Sequence, residues 1–252
     1  MVRNIRLEQN SDNIKILYYK NQGDKCLNDF DFGCFAEEDL VLILTTQYQI
    51  DMYTKHGQDV ICIDGTHGTN SRNFHLTMVL VLDDMRMGFP VFAMYSSRCD
   101  TFVYRVLFST IQDLDTNVKT HYFMSDDYPA YYNAFKLVFK HDSRKLLCAW
   151  HTSKSLKSRF QCLPEDKRSL IAPLFGKIFS LEKGTFWSAY AALHTPSYKS
   201  DPSILKFVEY LDRTWFRNIL EAKTLKETEN GLKEYNRRLI AIENDAVSTR
   251  NI

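Results

Sequence analysis

The sequence contains little cysteine, proline or glycine and no long apolar run. Its 252 residues include 6 Cys, 6 Pro and 9 Gly, which excludes a disulfide-rich scaffold, a collagen-like repeat and a low-complexity linker. The longest apolar runs, such as residues 78–82, are far shorter than the roughly 18–20 residues that cross a bilayer. Polar residues follow Met1 at once, so no signal peptide is visible. We therefore expect an intracellular protein with reduced thiols and no membrane partner.

The remaining composition is typical of a folded domain with an uneven charge distribution. Hydrophobic residues make up 44% of the chain and charged residues 25%, which is ample for a real core. The net charge of +1 conceals an asymmetry, because residues 1–126 carry 11 basic and 17 acidic side chains and residues 127–252 carry 21 and 14. Such an asymmetry indicates a polyanion partner, although solvated helix faces would produce the same counts.

Changes of hydrophobic period predict a mixed α/β fold followed by helices. Apolar side chains recur in a mostly helical rhythm over residues 35–53, after a lead-in strand or hairpin. Short apolar runs then predict five strands, at residues 59–64, 74–82, 88–95, 121–126 and 145–149. Apolar residues at helical spacing predict one helix before and one after the fourth strand, which gives the order β-β-β-α-β-α-β. From His151 onward the pattern is helical, interrupted by proline and glycine.

This pattern predicts a mixed five-stranded sheet with flanking helices and an all-helical C-terminal region. We divide the chain into a lead-in strand and helix over residues 1–55, a sheet-forming core over residues 56–163 and a helical region over residues 164–252. The sequence shows no internal repeat.

Two aspartates, Asp64 and Asp126, each end an apolar strand. The first and fourth strands of this order can lie side by side, which would bring both carboxylates to one edge of the sheet. Paired carboxylates suit Mg²⁺, and two such ions about 3.5–4 Å apart can activate a nucleophile and stabilise the leaving oxygen in phosphodiester chemistry. The alternative is that both residues only end strands and begin turns, which is a common role of aspartate.

A C-x-x-H spacing follows the fifth predicted strand. Cys148 and His151 could supply two zinc ligands, but a structural zinc site needs four. The candidates for the other two show no paired spacing; they are Cys162, His121, His141 and His194. The alternative, which we favour, is a buried cysteine, a core tryptophan and a histidine hydrogen-bonded near the carboxylate edge.

Basic residues concentrate between positions 136 and 159. This segment contains a single acid, Asp142, and seven cations: Lys136, Lys140, Arg144, Lys145, Lys154, Lys157 and Arg159. Clusters of this kind bind phosphate backbones without sequence preference. A solvated helix face is the competing interpretation.

Four motifs, in order along the chain, resemble the transposase domain of Mutator-like elements. They are D-G-T-H-G-T-N at residues 64–70, G-F-P-V at residues 88–91, M-S-D-D at residues 124–127 and L-C-A-W-H at residues 147–151. The resemblance covers about residues 59–160. A D-G-T motif alone would be weak evidence, but the four motifs in this order are specific.

The resemblance implies a ribonuclease-H-like core over residues 56–163 with a D-D-E triad that uses Mg²⁺ or Mn²⁺ to cut and join DNA strands. It assigns the first catalytic, metal-binding aspartate to Asp64 and the second to Asp126, and it places the family's C-x-x-H signature on Cys148 and His151. It also implies DNA as the partner, a homo-oligomer on DNA and a nuclear location. No organic cofactor is expected.

The third carboxylate of the triad has no clear counterpart. In the family it follows a helical insertion, typically in a T-N-N-x-x-E segment, and residues 248–252 look like the start of such a segment. The other candidates are Glu182, Glu221, Glu229, Glu234 and Glu243. No separate zinc-containing DNA-binding module is visible. We therefore expect a truncated domain with weak metal binding and negligible cleavage; the alternative is a catalytically inactive DNA-binding or protein-interaction protein derived from a transposon.

Overall fold

The computed structural model describes residues 14–25, 30–66, 68, 70–178 and 183–216. Seven strands lie in this part of the chain: β1 (Lys15–Lys20), β2 (Val41–Thr45), β3 (Val60–Thr66), β4 (His75–Leu82), β5 (Gly88–Ser96), β6 (Tyr122–Ser125) and β7 (Arg144–Leu147). The described helices are α1 (Gln47–His56), α2 (Thr101–Gln112), α3 (Pro129–Phe139), α4 (Ala149–Gln161), α5 (Glu165–Ile178), α6 (Lys183–Leu193), α7 (Pro196–Lys199) and α8 (Pro202–Tyr210), followed by a π-helical segment (Leu211–Phe216). None of these helices combines the length and the apolar character needed to span a membrane.

The strands form one mixed sheet in the order β1-β2-β5-β4-β3-β6-β7. The pairs β1–β2, β2–β5, β5–β4 and β4–β3 are antiparallel, whereas β3 and β6 pair parallel. The parallel pair confirms the predicted neighbourhood of the first and fourth strands of the core. The prediction of five strands is wrong, because β1 and β2 extend the sheet to seven.

The second of these added strands lies where a helical rhythm was predicted. Residues 35–53 were expected to be helical, but β2 occupies Val41–Thr45 and the helix begins only at Gln47. In β2 the side chains of Val41, Ile43 and Thr45 are buried and those between them are half-buried. The intervening residues are leucines, so the two-residue alternation of a strand was hidden within a continuous apolar run. The Thr46 side chain accepts a hydrogen bond from the Gln49 backbone N–H and thereby caps α1.

The described residues form two compact units that divide between Leu146 and Leu147. In the sheet unit, the first four residues of β3 are all buried, as expected for a central strand covered on both faces. The rings of Phe108, Phe123 and Phe135 form the centre of its core, and the Phe123 and Phe135 centroids lie 4.4 Å apart. Helices α2 and α3 pack against each other.

The helical unit has a separate core. Phe175 stacks on Phe160 with ring centroids 4.1 Å apart, and Phe207 contacts both rings. All regular secondary structure described between Ala149 and Phe216 is helical. The predicted boundaries at residues 55 and 163 stay predictions, as does the helical character of residues 217–252, which lie outside the described residues.

Candidate functional site

Asp64 and Asp126 lie level with each other on two adjacent parallel strands. The prediction that Asp64 ends its strand is wrong, because β3 continues to Thr66, whereas Asp126 directly follows β6. In the β3–β6 pair, Ile61 lies opposite Phe123 and Cys62 opposite Met124. Each aspartate follows the last paired residue of its own strand by two positions, so the same register places Asp64 level with Asp126. Residues level with each other on parallel strands point to the same face of the sheet. The fold therefore brings the two predicted carboxylates together at one sheet edge.

Both carboxylates also stabilise the local backbone. Asp64 is exposed and Asp126 half-buried. The Asp64 Oδ1 atom accepts a hydrogen bond of 2.9 Å from the Gly65 N–H, and the Asp126 Oδ1 atom accepts one of 3.0 Å from the Tyr128 N–H. The Asp126 contact is an Asx-turn, which leads the chain into α3 at Pro129. The turn-forming role considered for these residues is thus present at Asp126 but not at Asp64, which lies within β3. The role of both as metal ligands stays a prediction.

The Tyr131 side chain lies beside both aspartates. It is 4% exposed, and a Cβ atom built on Gly65 would lie 2.3 Å from its hydroxyl oxygen. Burial raises the pKa of the Tyr131 hydroxyl far above its ordinary range, and the nearby Tyr104, Asp126 and Asp64 raise it further. Both carboxylates therefore influence the same hydroxyl, which agrees with the proximity of Asp64 and Asp126 inferred from strand register. Sequence reasoning missed Tyr131, because its helical spacing is that of an ordinary core residue.

The carboxylate pair matches the donor chemistry of Mg²⁺ or Mn²⁺ only in part. Hard divalent cations take oxygen ligands and keep several waters, so two carboxylates supply a partial set. Among the described residues, no three His, Cys, Asp or Glu side chains are grouped closely enough to hold a metal ion. The candidates for the third carboxylate lie outside the described residues; they are Glu182, Glu221, Glu229, Glu234 and Glu243.

Asp127 follows the second aspartate, and its surroundings raise the pKa of its carboxyl group. Partial burial raises its pKa, the charge of Lys145 opposes that rise, and the charge of Asp126 adds to it. The increase due to Asp126 reflects repulsion between neighbouring carboxylates.

Cys148 and His151 lie at the start of α4. Cys148 is the residue before the helix, and its backbone oxygen accepts a hydrogen bond of 2.9 Å from the Thr152 hydroxyl. Two of the three histidines considered as partners, His141 and His194, are engaged elsewhere. The ring nitrogens of His141 lie 3.1 Å from the backbone oxygens of Phe139 and Thr120, and those of His194 contact the Tyr190 backbone oxygen and the Asp212 carboxylate.

The predicted basic segment divides between the two units. Lys136 and Lys145 belong to the sheet unit, where their ammonium groups lie 5.5 and 5.6 Å from the centre of the Tyr132 ring. Lys140 and Arg144 are exposed in the same unit. Lys154, Lys157 and Arg159 lie on α4 of the helical unit.

A cationic groove of about 530 Å³ lies along α4. Its lining residues recur at helical spacing on one face of α4, with one residue added from α8: His151, Lys154, Ser155, Ser158, Arg159, Cys162 and Tyr210. The Arg159 guanidinium lies 5.3 Å from the centre of the Tyr210 ring. Among the described residues, the lining contains two cations, a histidine and two serine hydroxyls but no carboxylate. This is the chemistry that binds phosphate oxygens. Lys157 is not part of this lining.

Comparison with known families agrees with the motif resemblance. Residues 60–155 match the family model of the MULE transposase domain. The predicted similarity to Mutator-like transposase domains is confirmed over these residues, which include β3 to β7 and the first half of α4. No curated protein matches the sequence.

Proposed function

We propose that this chain carries a ribonuclease-H-like transposase domain in which Asp64 and Asp126 bind Mg²⁺ or Mn²⁺ for the cleavage and joining of DNA strands. The supporting observation is the shared register position of the two aspartates within the segment that matches the MULE transposase domain. The antiparallel strands β3, β4 and β5, followed by a helix and a parallel strand beside β3, have the order that the family resemblance implies.

The chain's own contribution to this chemistry is to hold and orient charged groups. A divalent ion, when bound, would activate the attacking oxygen and stabilise the leaving oxygen of a phosphodiester. Asp64 and Asp126 would supply carboxylate oxygens from two adjacent strands, while Tyr131 stays neutral beside them. We assign the third carboxylate to the helical region.

DNA would be bound through its backbone by the cations of residues 136–159. We place the principal contacts in the α4 groove, where Lys154 and Arg159 line a cavity to which the described part of the chain contributes no acidic side chain. We assign a supporting role to Lys136, Lys140, Arg144, Lys145 and Lys157. The homo-oligomer on DNA and the nuclear location belong to the same proposal.

A second candidate is a catalytically silent DNA-binding protein derived from such an element. The observation in its favour is that Asp64 and Asp126 already accept hydrogen bonds from the backbone, which gives them a structural role without metal. In this alternative the α4 groove would keep its function and the carboxylate pair would not bind ions.

Calorimetry with Mn²⁺ separates the two candidates. The wild-type chain should take up Mn²⁺, and Asp64→Asn and Asp126→Asn should each abolish measurable uptake, because a neutral amide oxygen binds a hard cation much more weakly than a carboxylate does. Asp142→Asn is the matched control, since Asp142 is an exposed aspartate of the same unit away from this sheet edge. Uptake that survives in both site variants, or no uptake by the wild-type chain, would contradict the catalytic proposal and favour the silent protein.

A further inference from the structure

The Tyr131 hydroxyl connects the two chain segments that carry the aspartates. Tyr131 lies in the first turn of α3, which begins directly after the connection that contains Asp126. Its hydroxyl contacts Gly65, the residue that follows Asp64 in β3. A single buried side chain therefore spans from the segment of the second aspartate to the strand of the first.

The contact leaves no room for a side chain at position 65. A Cβ atom on Gly65 would lie 2.3 Å from the Tyr131 hydroxyl oxygen, which is far closer than non-bonded atoms approach, but 3.6 Å from the ring carbon that bears the hydroxyl. The latter distance is an ordinary van der Waals contact. The glycine of the D-G-T motif is thus required by one oxygen atom of Tyr131.

Buried neighbours hold the two sides of this contact in place. The rings of Tyr131 and Tyr104 lie 4.4 Å apart, and both side chains are buried in the core of the sheet unit. Thr77, which is 1% exposed, is the cross-strand partner of Gly65 in the β3–β4 pair. Gly65 is therefore fixed by strand pairing, and the Tyr131 ring that packs on it is fixed by the core.

We propose that Tyr131 is a positioning residue whose hydroxyl, packed on Gly65, sets the spacing between Asp64 and Asp126. The carboxylate of Asp64 accepts a hydrogen bond from the adjacent Gly65 N–H, so a displacement of the backbone at Gly65 would move a group that the carboxylate contacts. This inference rests on the proposed metal-binding function of the two aspartates.

A double-mutant cycle with Gly65→Ala and Tyr131→Phe tests the proposal. Gly65→Ala alone should lower the melting temperature and abolish Mn²⁺ uptake, because the new methyl group displaces the end of β3. Tyr131→Phe alone should fold and bind Mn²⁺ about tenfold more weakly, as residues that orient metal ligands commonly do when altered. The double variant should recover most of the melting temperature lost in Gly65→Ala, since the phenyl ring accommodates the methyl group.

Tyr132→Phe is the matched control for this cycle. Tyr132 is the next residue of α3, and its hydroxyl donates a 3.0 Å hydrogen bond to the Ser143 backbone oxygen instead of contacting Gly65. It should neither rescue Gly65→Ala nor change Mn²⁺ affinity. Additive melting temperatures in the Gly65/Tyr131 cycle, or unchanged Mn²⁺ affinity in Tyr131→Phe, would overturn the proposal. If the wild-type chain takes up no Mn²⁺, the proposed function fails, and the melting temperatures still decide whether Tyr131 holds Gly65.

Discussion

The carboxylates of the sheet unit and the cations of the helical unit are positioned by different means. Asp64 and Asp126 are brought level by the pairing of two strands that are far apart in sequence, and the residues before them, Ile63 and Ser125, are buried. Lys154 and Arg159 are exposed residues of one helix, and local helical spacing brings them to one groove. The carboxylate geometry therefore depends on the whole core of its unit, whereas the cationic groove depends mainly on α4. The two sites should respond differently to the same kind of change.

The largest effect is expected from emptying the core beneath the carboxylates. Phe123 of β6 is 0% exposed and packs against Phe108 and Phe135. Phe123→Ala should lower the free energy of unfolding of the sheet unit by about 3–5 kcal/mol, because it removes a ring and leaves a cavity. Urea unfolding measures this loss. Leu137→Ala on α3 is the control, since that side chain is 49% exposed and should change the free energy by less than about 0.5 kcal/mol.

The groove should respond to charge instead of packing. Replacing Lys154 and Arg159 together by Gln should reduce the slope of log affinity against log salt by about 1.8 for duplex DNA, because each phosphate contact contributes about 0.9. Fluorescence anisotropy in EDTA measures the slope without any contribution of metal ions. The matched control, Lys177→Gln with Lys206→Gln, removes the same charge from exposed positions of the helical unit that neither line the groove nor belong to the basic segment.

A second measurement locates the DNA directly. Cys162 lines the groove and Cys34 belongs to the sheet unit, and both thiols are exposed. Bound DNA should slow alkylation of Cys162 and leave Cys34 unaffected. Equal loss of salt slope in both double variants, with no protection of Cys162, would show that DNA binding is diffuse and does not use the groove.

The smallest effect is expected at alkaline pH, from the buried Tyr104 hydroxyl of the sheet unit. Burial raises the pKa of Tyr104 from 10.0 to about 12. Because the folded state holds this proton more tightly than the unfolded chain, the resulting stability is fully present below pH 10 and is lost as the pH rises to about 12. Tyr104→Phe should therefore lose less stability than the wild-type chain between pH 8 and pH 11 in urea unfolding. A parallel loss in both proteins would contradict this assignment.

Part of the site could be predicted from the sequence because its signals are local. Apolar runs that lead into Asp64 and Asp126 marked the two strands, and the order of strands and helices placed these strands side by side. The division of the basic segment was not predictable, since the boundary between the two units falls between Leu146 and Leu147, within that segment. The strand β2 was missed because leucines on both of its faces conceal the alternation.

The sequence by itself determined the kind of element at most positions, the family resemblance and the identity of the two aspartates, since these follow from hydrophobic period and motif order. Only the tertiary structure decided that the hydroxyl of Tyr131 packs on Gly65 and that Lys154 and Arg159 line one groove with Tyr210. The physical reason is distance along the chain. A hydrophobic period is a property of neighbouring residues, whereas the packing of the Tyr131 hydroxyl against Gly65 arises only when separate elements come together.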